Sequence, residues 1–333
     1  MDKKMLEELT ALHGVGGYEK QVAAYISDKL RSLADKLWVD ANGNLIVYKK
    51  GSSPRAKKVL FCAHMDEIGL QVIKINEDGT VMVKELGFWF MYIAYQARVM
   101  FRNGVVGVVD ARVDPSKMTK EDFCVDIGVS TRAEAEQLVE VGDVARFLGP
   151  VQELAGGNLM ASAIDDRVGC YMQIQALLEN PQPKNDVYMA FTVQEELGTR
   201  GGGVVAHQVR PDVGVAIDVT PSHDRPTGMI GSNALGKGVA IKISDTCSVS
   251  DEGLVDTAVA LCKAQGIPYQ KDVIYRGGTD AGAITLTGDG VKTIGFSVVT
   301  RYTHGQNCMV NMADIEATIA LTKAYMDVEF DFS

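Results

Sequence analysis

Two adjacent glutamates end an apolar segment in the stretch DVYMAFTVQEELGTRGG. Glu195 and Glu196 follow the apolar residues directly, and glycines come soon after them. Two like charges at the end of a buried strand repel each other, and removing either carboxylate from water costs free energy. Something elsewhere in the chain, or bound to it, must therefore offset this pair.

Further acidic and imidazole groups follow other apolar segments. In an open α/β sheet, ligands bind beyond the carboxyl ends of the strands, so groups at these ends are expected to converge. The candidates are His64 after VLFCA with Asp66 two residues on, Asp218 after VGVAI, His304 after KTIGFSVVTRYT, and Asp165 and Asp166 in the loop ASAIDD before a helix.

Histidines combined with carboxylates are the donor set that zinc, cobalt or manganese takes. Three ligating carboxylates and two neutral imidazoles around two divalent cations leave one positive charge, which a bridging hydroxide cancels. A single cation would leave the cluster anionic. The sequence therefore favours two divalent ions.

The glutamate pair fits such a site because neighbouring side chains of a strand point to opposite sides. One glutamate can then bind a metal, while the other faces the metal-bound water as a general base. Asp66 is placed to accept the ring N–H of His64, which would fix the tautomer of that ligand.

Each of these features also has an ordinary structural explanation. A single histidine after a strand is commonly structural, and Asp166 could simply cap the helix that it opens. The adjacent glutamates could mark a solvated strand end. Because these features coincide at several strand ends, we favour the metal site, and we expect His13, His207 and His223 to be structural.

Alternating strand and helix patterns predict an α/β fold with a sheet covered on both faces. Between about Glu67 and Gly157 the pattern changes to short alternating segments such as LQVIKI and TVMVKEL, which indicate a small β-rich module. The predicted domains are residues 1–66 with 158–333, and an inserted module of residues 67–157.

Composition excludes several classes of function. The 333 residues are 46% hydrophobic and 23% charged, which is typical of a globular protein, and the net charge of −10 argues against a nucleic-acid partner. No long apolar run or signal-peptide pattern is present, so no membrane partner is expected. The six cysteines are scattered, which favours reduced thiols in a cytoplasmic protein.

Seven motifs, in this order over nearly the whole chain, resemble those of the M42 metallo-aminopeptidases. They are AHMDEIG, AIDDRVG, VQEELGTRGG, IDVT, LGKG, RGGTDAGAI and TRYTHG. That family includes glutamyl aminopeptidases and TET peptidases within the clan of di-zinc exopeptidases. The resemblance implies a mixed central sheet flanked by helices, with an inserted PDZ-like or β-barrel dimerisation domain. It also implies that dimers assemble into a hollow tetrahedral dodecamer.

The resemblance further implies how the metals are held. His64 and Asp218 would be terminal ligands of different metals, and Glu196 and His304 would each complete one site. Asp165, the first acid of DDR, would bridge both ions. Zinc is the expected metal, with cobalt and manganese as substitutes.

The implied reaction is the release of the N-terminal residue from short peptides. A hydroxide bridging the two metals would attack the carbonyl, with Glu195 as general base and Asp66 as the partner of His64. The sequence departs from many members after His304, where HGQNCMVN stands in place of a Ser-Pro continuation. This departure concerns loop contacts near the site.

Two other functions remain open at this level. A glycoside hydrolase also uses paired carboxylates, about 5–9.5 Å apart, but does not require the two histidines. A metal-stabilised scaffold without catalysis is the other alternative. The preferred N-terminal residue is open too, because Arg276 could attract an acidic side chain or be an ordinary surface residue.

Overall fold

The computed structural model describes residues 2–89, 91–225 and 230–331. Within these ranges the chain forms one large mixed sheet and one closed barrel. The strands are β1 (Lys36–Val39), β2 (Leu45–Lys49), β3 (Lys58–His64), β4 (Gly69–Ile75), β5 (Val81–Leu86), β6 (Arg98–Phe101), β7 (Val106–Ala111), β8 (Phe123–Asp126), β9 (Val144–Phe147), β10 (Gln152–Leu154), β11 (Asn158–Ala161), β12 (Asp186–Thr192), β13 (Val213–Pro221), β14 (Val239–Ser244), β15 (Tyr269–Val273), β16 (Lys292–Arg301) and β17 (Cys308–Asn311).

The α-helices are α1 (Lys3–Ala11), α2 (Lys20–Leu30), α3 (Met91–Ala94), α4 (Arg132–Ala135), α5 (Ile164–Glu179), α6 (Arg200–Val209), α7 (Glu252–Gln265), α8 (Asp280–Thr285) and α9 (Met312–Met326). The short helices α3 and α4 belong to the barrel, and the others pack against the large sheet. None of the helices in the described ranges has the length and apolar character needed to cross a membrane.

The large sheet runs in the order β1-β2-β12-β3-β13-β16-β17-β11-β10, and β14 and β15 extend from β16. Its central strands β12, β3, β13 and β16 are parallel to one another. Parallel central strands bring their carboxyl ends to one edge, which is where the sequence places its acidic and imidazole groups.

Alternating residues of the central strands enter two different cores. Phe61 and Met189 belong to the core formed with α1, α2, α5, α7 and α9, whereas Leu60, Cys62 and Ala190 pack with α6 and α8. Since successive side chains of a strand point to opposite faces, the sheet is covered by helices on both sides. This confirms the predicted α/β fold.

The barrel contains strands β4 to β9, closed in the order β4-β5-β8-β7-β6-β9, and it has its own apolar core. The prediction of an inserted β-rich module is therefore confirmed. The division at residues 66/67 and 157/158 stays a prediction. Strand β10 lies inside the predicted insert but pairs with β11 in the large sheet, so the barrel strands end before that boundary.

Three buried charged residues join the barrel to the α/β part, and we call them the junction cluster: Glu67, Arg146 and Arg167. Arg146, on β9, donates to Glu67 Oε2 at 3.1 Å and to the carbonyl of Ala11 at 2.6 Å. Arg167, on α5, donates to Glu67 Oε1 at 3.3 Å and to the carbonyl of Met65 at 2.7 Å. Each charge of this cluster is thus paired within the chain.

The six cysteines are free, as expected, and all except Cys247 are buried. The buried thiols pack as small apolar groups; burial raises the pKa of Cys124 to about 11, for example. The described structure thus contains no disulfide bond among these six residues.

Candidate metal centre

The sheet places His64 and Asp218 at the same level of neighbouring strands. Strands β3 and β13 pair up to Cys62 and Ala216, and the two candidate residues each follow two positions later. Thr192, the last residue of β12, pairs with His64 on its other side, so Glu195 and Glu196 emerge from the same edge. The convergence expected from the strand ends is present.

Asp165 lies between the two candidate histidines. Its Oδ1 is 3.1 Å from Nε2 of His64, and its Oδ2 is 3.2 Å from Nε2 of His304. One carboxylate therefore presents one oxygen to each imidazole. This is the arrangement that a carboxylate bridging two cations requires.

A further carboxylate stands beside each histidine. Asp218 Oδ1 is 3.8 Å from Nε2 of His64, and Glu196 Oε2 is 3.5 Å from Nε2 of His304. The distances group His64 with Asp218 and His304 with Glu196. This differs from the sequence expectation that His64 and Asp218 serve different metals, because pairing of specific side chains depends on how far β3 and β13 diverge.

Donor atoms that lie within 4.8 Å of one another form two groups: His64 with Asp165 and Glu196, and His64 with Asp166 and Asp218. The Asp166 carboxylate already accepts the N–H of His64 at 3.2 Å and of Gly169 at 3.0 Å. Asp166 is thus occupied by backbone groups, in agreement with the capping alternative. We call His64, Asp165, Glu195, Glu196, Asp218 and His304 the carboxylate–histidine cluster.

Asp66 holds both the histidine and the glutamates. Its backbone oxygen lies 3.1 Å from Nδ1 of His64 and its Oδ1 lies 3.5 Å from the same nitrogen. The carboxylate also accepts the N–H of Glu195 at 2.9 Å and of Glu196 at 3.1 Å. The sequence predicted that the carboxylate of Asp66 accepts the ring N–H, whereas its backbone oxygen is the nearer acceptor. The two amide contacts were not predicted, because the spacing carries no signal for them.

Burial and charge shift the ionisation of the cluster strongly. Burial raises the pKa of Asp218 to about 7 and that of Glu196 to about 8. Burial opposes ionisation of Asp165 too, but the His304 and His64 rings outweigh it and hold its pKa well below the usual value. Burial would lower the pKa of His304, yet Glu196 and Asp165 raise it to about 10. The cluster attracts positive charge at both ends of Asp165.

The donor set fits divalent cations by a second criterion. Glu196 Oε1 is buried and has no hydrogen-bond partner among the described residues. A buried carboxylate oxygen without a partner costs free energy, and a cation would satisfy it. Imidazole nitrogen and carboxylate oxygen suit zinc, cobalt and manganese.

The barrel contributes to the same site, which the sequence did not indicate. The backbone of Phe88, after β5, hydrogen-bonds to His304, and the two rings are 6.4 Å apart. Gly87 has φ of +76°, and a Cβ there would lie 3.1 Å from the Cβ of Glu196. A glycine is therefore required where the barrel loop passes over the cluster.

Left-handed backbone conformations accompany the candidate residues. Ala163 (φ +53°), Gln194 (φ +55°) and His304 (φ +58°) all adopt them without being glycine. Such conformations cost about 1–3 kcal/mol each and persist where the surrounding contacts enforce them. Here they stand two residues before Asp165, one residue before Glu195 and at His304 itself.

Asp280, from the motif RGGTDAGAI, is a buried residue to which the sequence analysis gave no role. Thr192 donates to its Oδ2 at 2.6 Å, and burial raises its pKa. It begins α8 next to the end of β12. Asp280 therefore supports the strand that leads to the glutamates.

The remaining candidates lie outside the cluster. Arg276 and His207 are exposed, and His13 is buried. His223 is partly buried, and its Nδ1 has no hydrogen-bond partner in the described ranges.

Known proteins resemble this chain over nearly its full length. The family model of M42 glutamyl aminopeptidase matches residues 43–321. A lysyl aminopeptidase from Pyrococcus furiosus is 31% identical over 98% of this chain and 97% of its own. The solved structure of aminopeptidase APDkam598 from the archaeon Desulfurococcus kamchatkensis is 34% identical, covers 97% of this chain and 94% of its own, and has a TM-score of 0.92.

A third relative is the TET1 peptidase of Pyrococcus horikoshii, which can assemble into a tetrahedron or a large octahedral shell. It is 30% identical, covers 98% of this chain and 99% of its own, and has a TM-score of 0.88. The family match and these relatives extend over nearly the full length. The chain belongs to the M42 peptidase family, a family of aminopeptidases.

Proposed function

We propose that this protein is a metal-dependent aminopeptidase that releases the N-terminal residue from short peptides. The observation that carries the proposal is the position of Asp165, with one oxygen toward His64 and the other toward His304. The excess of carboxylates also favours binding of a positively charged α-amine, which an exopeptidase must recognise.

Two divalent ions, with zinc expected first and cobalt or manganese as substitutes, would share the Asp165 carboxylate. His64 and Asp218 would hold one ion, and His304 and Glu196 the other, as their distances indicate. When bound, such ions polarise a carbonyl oxygen and lower the pKa of water toward neutrality, which is the chemistry that peptide hydrolysis requires.

Glu195 is the proposed general base. Burial raises the pKa of its carboxyl group well above the usual value, and the charges of Asp218 and Asp280 raise it further. A base with a raised pKa accepts a proton from water and returns it to the leaving amine. Asp66 holds the Glu195 amide, so the carboxyl group is placed by the backbone beneath it.

The first experiment measures release of the N-terminal residue with a panel of aminoacyl chromogenic substrates, assayed with zinc, cobalt and manganese and after chelation. The panel includes acidic, basic and neutral residues, because the preference is not fixed by the site residues. Activity that chelation abolishes and metal restores supports the proposal. Hydrolysis that survives chelation, or no hydrolysis of any member with metal bound, would contradict it.

A second experiment tests the role of Asp165. Asp165→Ala should lower the number of bound ions per subunit, measured by elemental analysis after dialysis. The matched control is Asp186→Ala. Asp186 is the first residue of β12, at the end away from the glutamates, and its carboxylate accepts the N–H of Gly51 at 2.8 Å. Full metal occupancy with intact activity in Asp165→Ala would rule out a bridging carboxylate.

We further propose that the chain forms a homo-oligomer in which the barrel mediates dimers and six dimers build a tetrahedral dodecamer. The support is its similarity to the TET1 peptidase, which can assemble into a tetrahedron. We also propose a cytoplasmic location, because the six scattered cysteines favour reduced thiols. Light scattering coupled to size-exclusion chromatography measures the assembly directly, and a monomer at all concentrations would contradict it.

A further inference from the structure

Val193 to Glu196, which we call the glutamate turn, is held by side chains rather than by neighbouring strands. The N–H of Val193 donates to Asn44 Oδ1 at 3.0 Å, and the N–H of Gln194 donates to Glu19 Oε1 at 3.1 Å. The N–H groups of Glu195 and Glu196 donate to the carboxylate of Asp66. Four consecutive amides thus depend on three side chains from the N-terminal part of the chain.

Gln194 is the most demanding position of this turn. Its φ of +55° is left-handed, which a residue with a Cβ adopts only when its surroundings enforce it. The Gln194 amide has its partner in Glu19, and that contact lies immediately before Glu195. Asp66 holds the amides of the two glutamates, and Glu19 holds the amide of the strained residue before them.

Glu19 occupies a position that is otherwise unfavourable. The residue is 5% exposed, and both burial and the charge of Asp66 oppose ionisation of its carboxyl group, raising its pKa to about 7. It precedes α2 but makes no side-chain cap to that helix. Its Oε1 instead accepts the N–H of Gly17 at 2.8 Å and that of Gln194. Burial of Glu19 thus allows one carboxylate oxygen to link the loop at Gly17 to the glutamate turn at Gln194.

We propose that Glu19 is a positioning residue that sets the glutamate turn, and through it the Glu196 carboxylate at one cation position and the Glu195 carboxylate beside it. This inference rests on the proposed function of the cluster. It also gives a role to the glycine-rich stretch HGVGGY, in which Gly17 donates to Glu19 and a Cβ at Gly16 would lie 3.4 Å from Asp66 Oδ2.

The experiment compares Glu19→Ala with Glu19→Gln in the full-length protein. Glutamine keeps an oxygen that can accept both N–H groups, whereas alanine removes it. Cobalt titration followed by visible absorption reports the affinity for each ion without any substrate. For Glu19→Ala we expect the affinity of the weaker ion, or kcat, to fall by about 10–100-fold, the usual effect of a group supporting a ligand. For Glu19→Gln we expect values near those of the wild type.

Asp314→Ala is the matched control, because it removes a fully buried carboxylate that accepts the N–H groups of Gly236 and Gly238. A general loss of stability would affect both alanine variants, so affinities are compared at equal folded fraction. Unchanged cobalt affinity and kcat in Glu19→Ala, or equal losses in the alanine and glutamine variants, would overturn the inference. Because cobalt binding is measured separately, a wild type that binds ions but hydrolyses no peptide would overturn only the proposed function.

Discussion

The carboxylate–histidine cluster and the junction cluster both bury charged side chains, and they begin only three residues apart, at His64 and Glu67. In the junction cluster two arginines face one glutamate, and backbone carbonyls accept their other N–H groups. In the carboxylate–histidine cluster four carboxylates face two imidazoles, and Glu196 keeps a buried oxygen without a partner in the described structure.

This difference separates a structural cluster from a functional one. In both clusters, removing charged groups from water costs free energy. Only in the junction cluster do oppositely charged side chains and backbone carbonyls of the chain itself offset this cost. The carboxylate–histidine cluster requires positive charge from elsewhere, which is what a metal site does. Burial of charge alone would not have distinguished the two.

The largest expected effect is on catalysis. Glu195→Gln should keep both ions, because Glu195 is not among the proposed ligands, and should reduce kcat by about 10²–10⁴-fold, the usual share of acid–base catalysis. The paired measurements are kcat with a chromogenic substrate and metal content by elemental analysis. Loss of metal in this variant would reassign the roles of Glu195 and Glu196.

The next largest effect concerns stability at the junction cluster. Arg167→Met removes one of the two guanidinium groups that pair with Glu67, and it also removes the donor to several buried backbone carbonyls, among them that of Met65. Because a buried acceptor that loses its donor costs about 1–3 kcal/mol, we expect the free energy of unfolding to fall by about 3–5 kcal/mol in total, measured by urea denaturation, and to do so equally with and without zinc.

The control for this variant is Lys323→Met, which breaks the 2.6 Å ion pair with Glu179 on the surface. A surface pair contributes about 0–1 kcal/mol, so its loss should be small. Equal effects of the two substitutions would show that the junction cluster adds nothing beyond a surface pair.

The members of both clusters differ in how far the sequence could predict them. The convergence of His64 and Asp218 was predictable because apolar strands end at recognisable residues and parallel strands share an edge, whereas Asp165 was a candidate from the loop ASAIDD before a helix. Arg146 is as deeply buried, yet no pattern marked it, since its carbonyl partner Ala11 lies in the other predicted domain, far away in the sequence. Local periodicity gives the strand ends but not the contacts between domains.

Loop geometry limits the prediction of the site in the same way. The grouping of His64 with Asp218 and the contact between Phe88 and His304 depend on how strands diverge and on where the barrel sits. Likewise, Glu19 could be recognised only after the left-handed conformation of Gln194 was known. The residue types were in the sequence, but their distances were not.

A smaller, pH-dependent effect is expected when metal is removed. The folded pKa values of Asp218 and Glu196, about 7 and 8, exceed the usual acid values, so the folded protein holds protons that the unfolded chain has released. Stability of the chelated protein should therefore fall as pH rises from about 4.5 to 8. His304 acts in the same direction: its contribution is complete below pH 6.5 and is lost as pH rises through about 10.

Bound cations replace these protons, so stabilisation by zinc should increase with pH. For each site, at free zinc 100 times its dissociation constant, the gain is about 2.7 kcal/mol. Thermal unfolding from pH 5.5 to 9, with chelator and with zinc, measures both trends. The Arg167→Met variant should show the same increment from zinc as the wild type. Zinc stabilisation that is constant over this range would contradict the charge imbalance assigned to the carboxylate–histidine cluster.

The smallest effect is expected at a partly exposed ion pair that resembles neither cluster. Arg301 donates from two nitrogens to Asp224, at 3.0 and 2.6 Å, and this contact lowers the pKa of Asp224 to about 2. Arg301→Gln should cost about 1 kcal/mol at pH 7, the upper end for such pairs. Because an acid with a lowered pKa stabilises the fold above about 3.8 and loses this as pH falls through 2, the cost should be smaller at pH 3. Urea denaturation midpoints of the chelated protein at both pH values measure this loss of unfolding free energy. A loss of several kcal/mol in Arg301→Gln would show that the two-nitrogen contact geometry is enough for a large effect. The stability attributed to burial of the junction cluster would then be attributed to geometry instead.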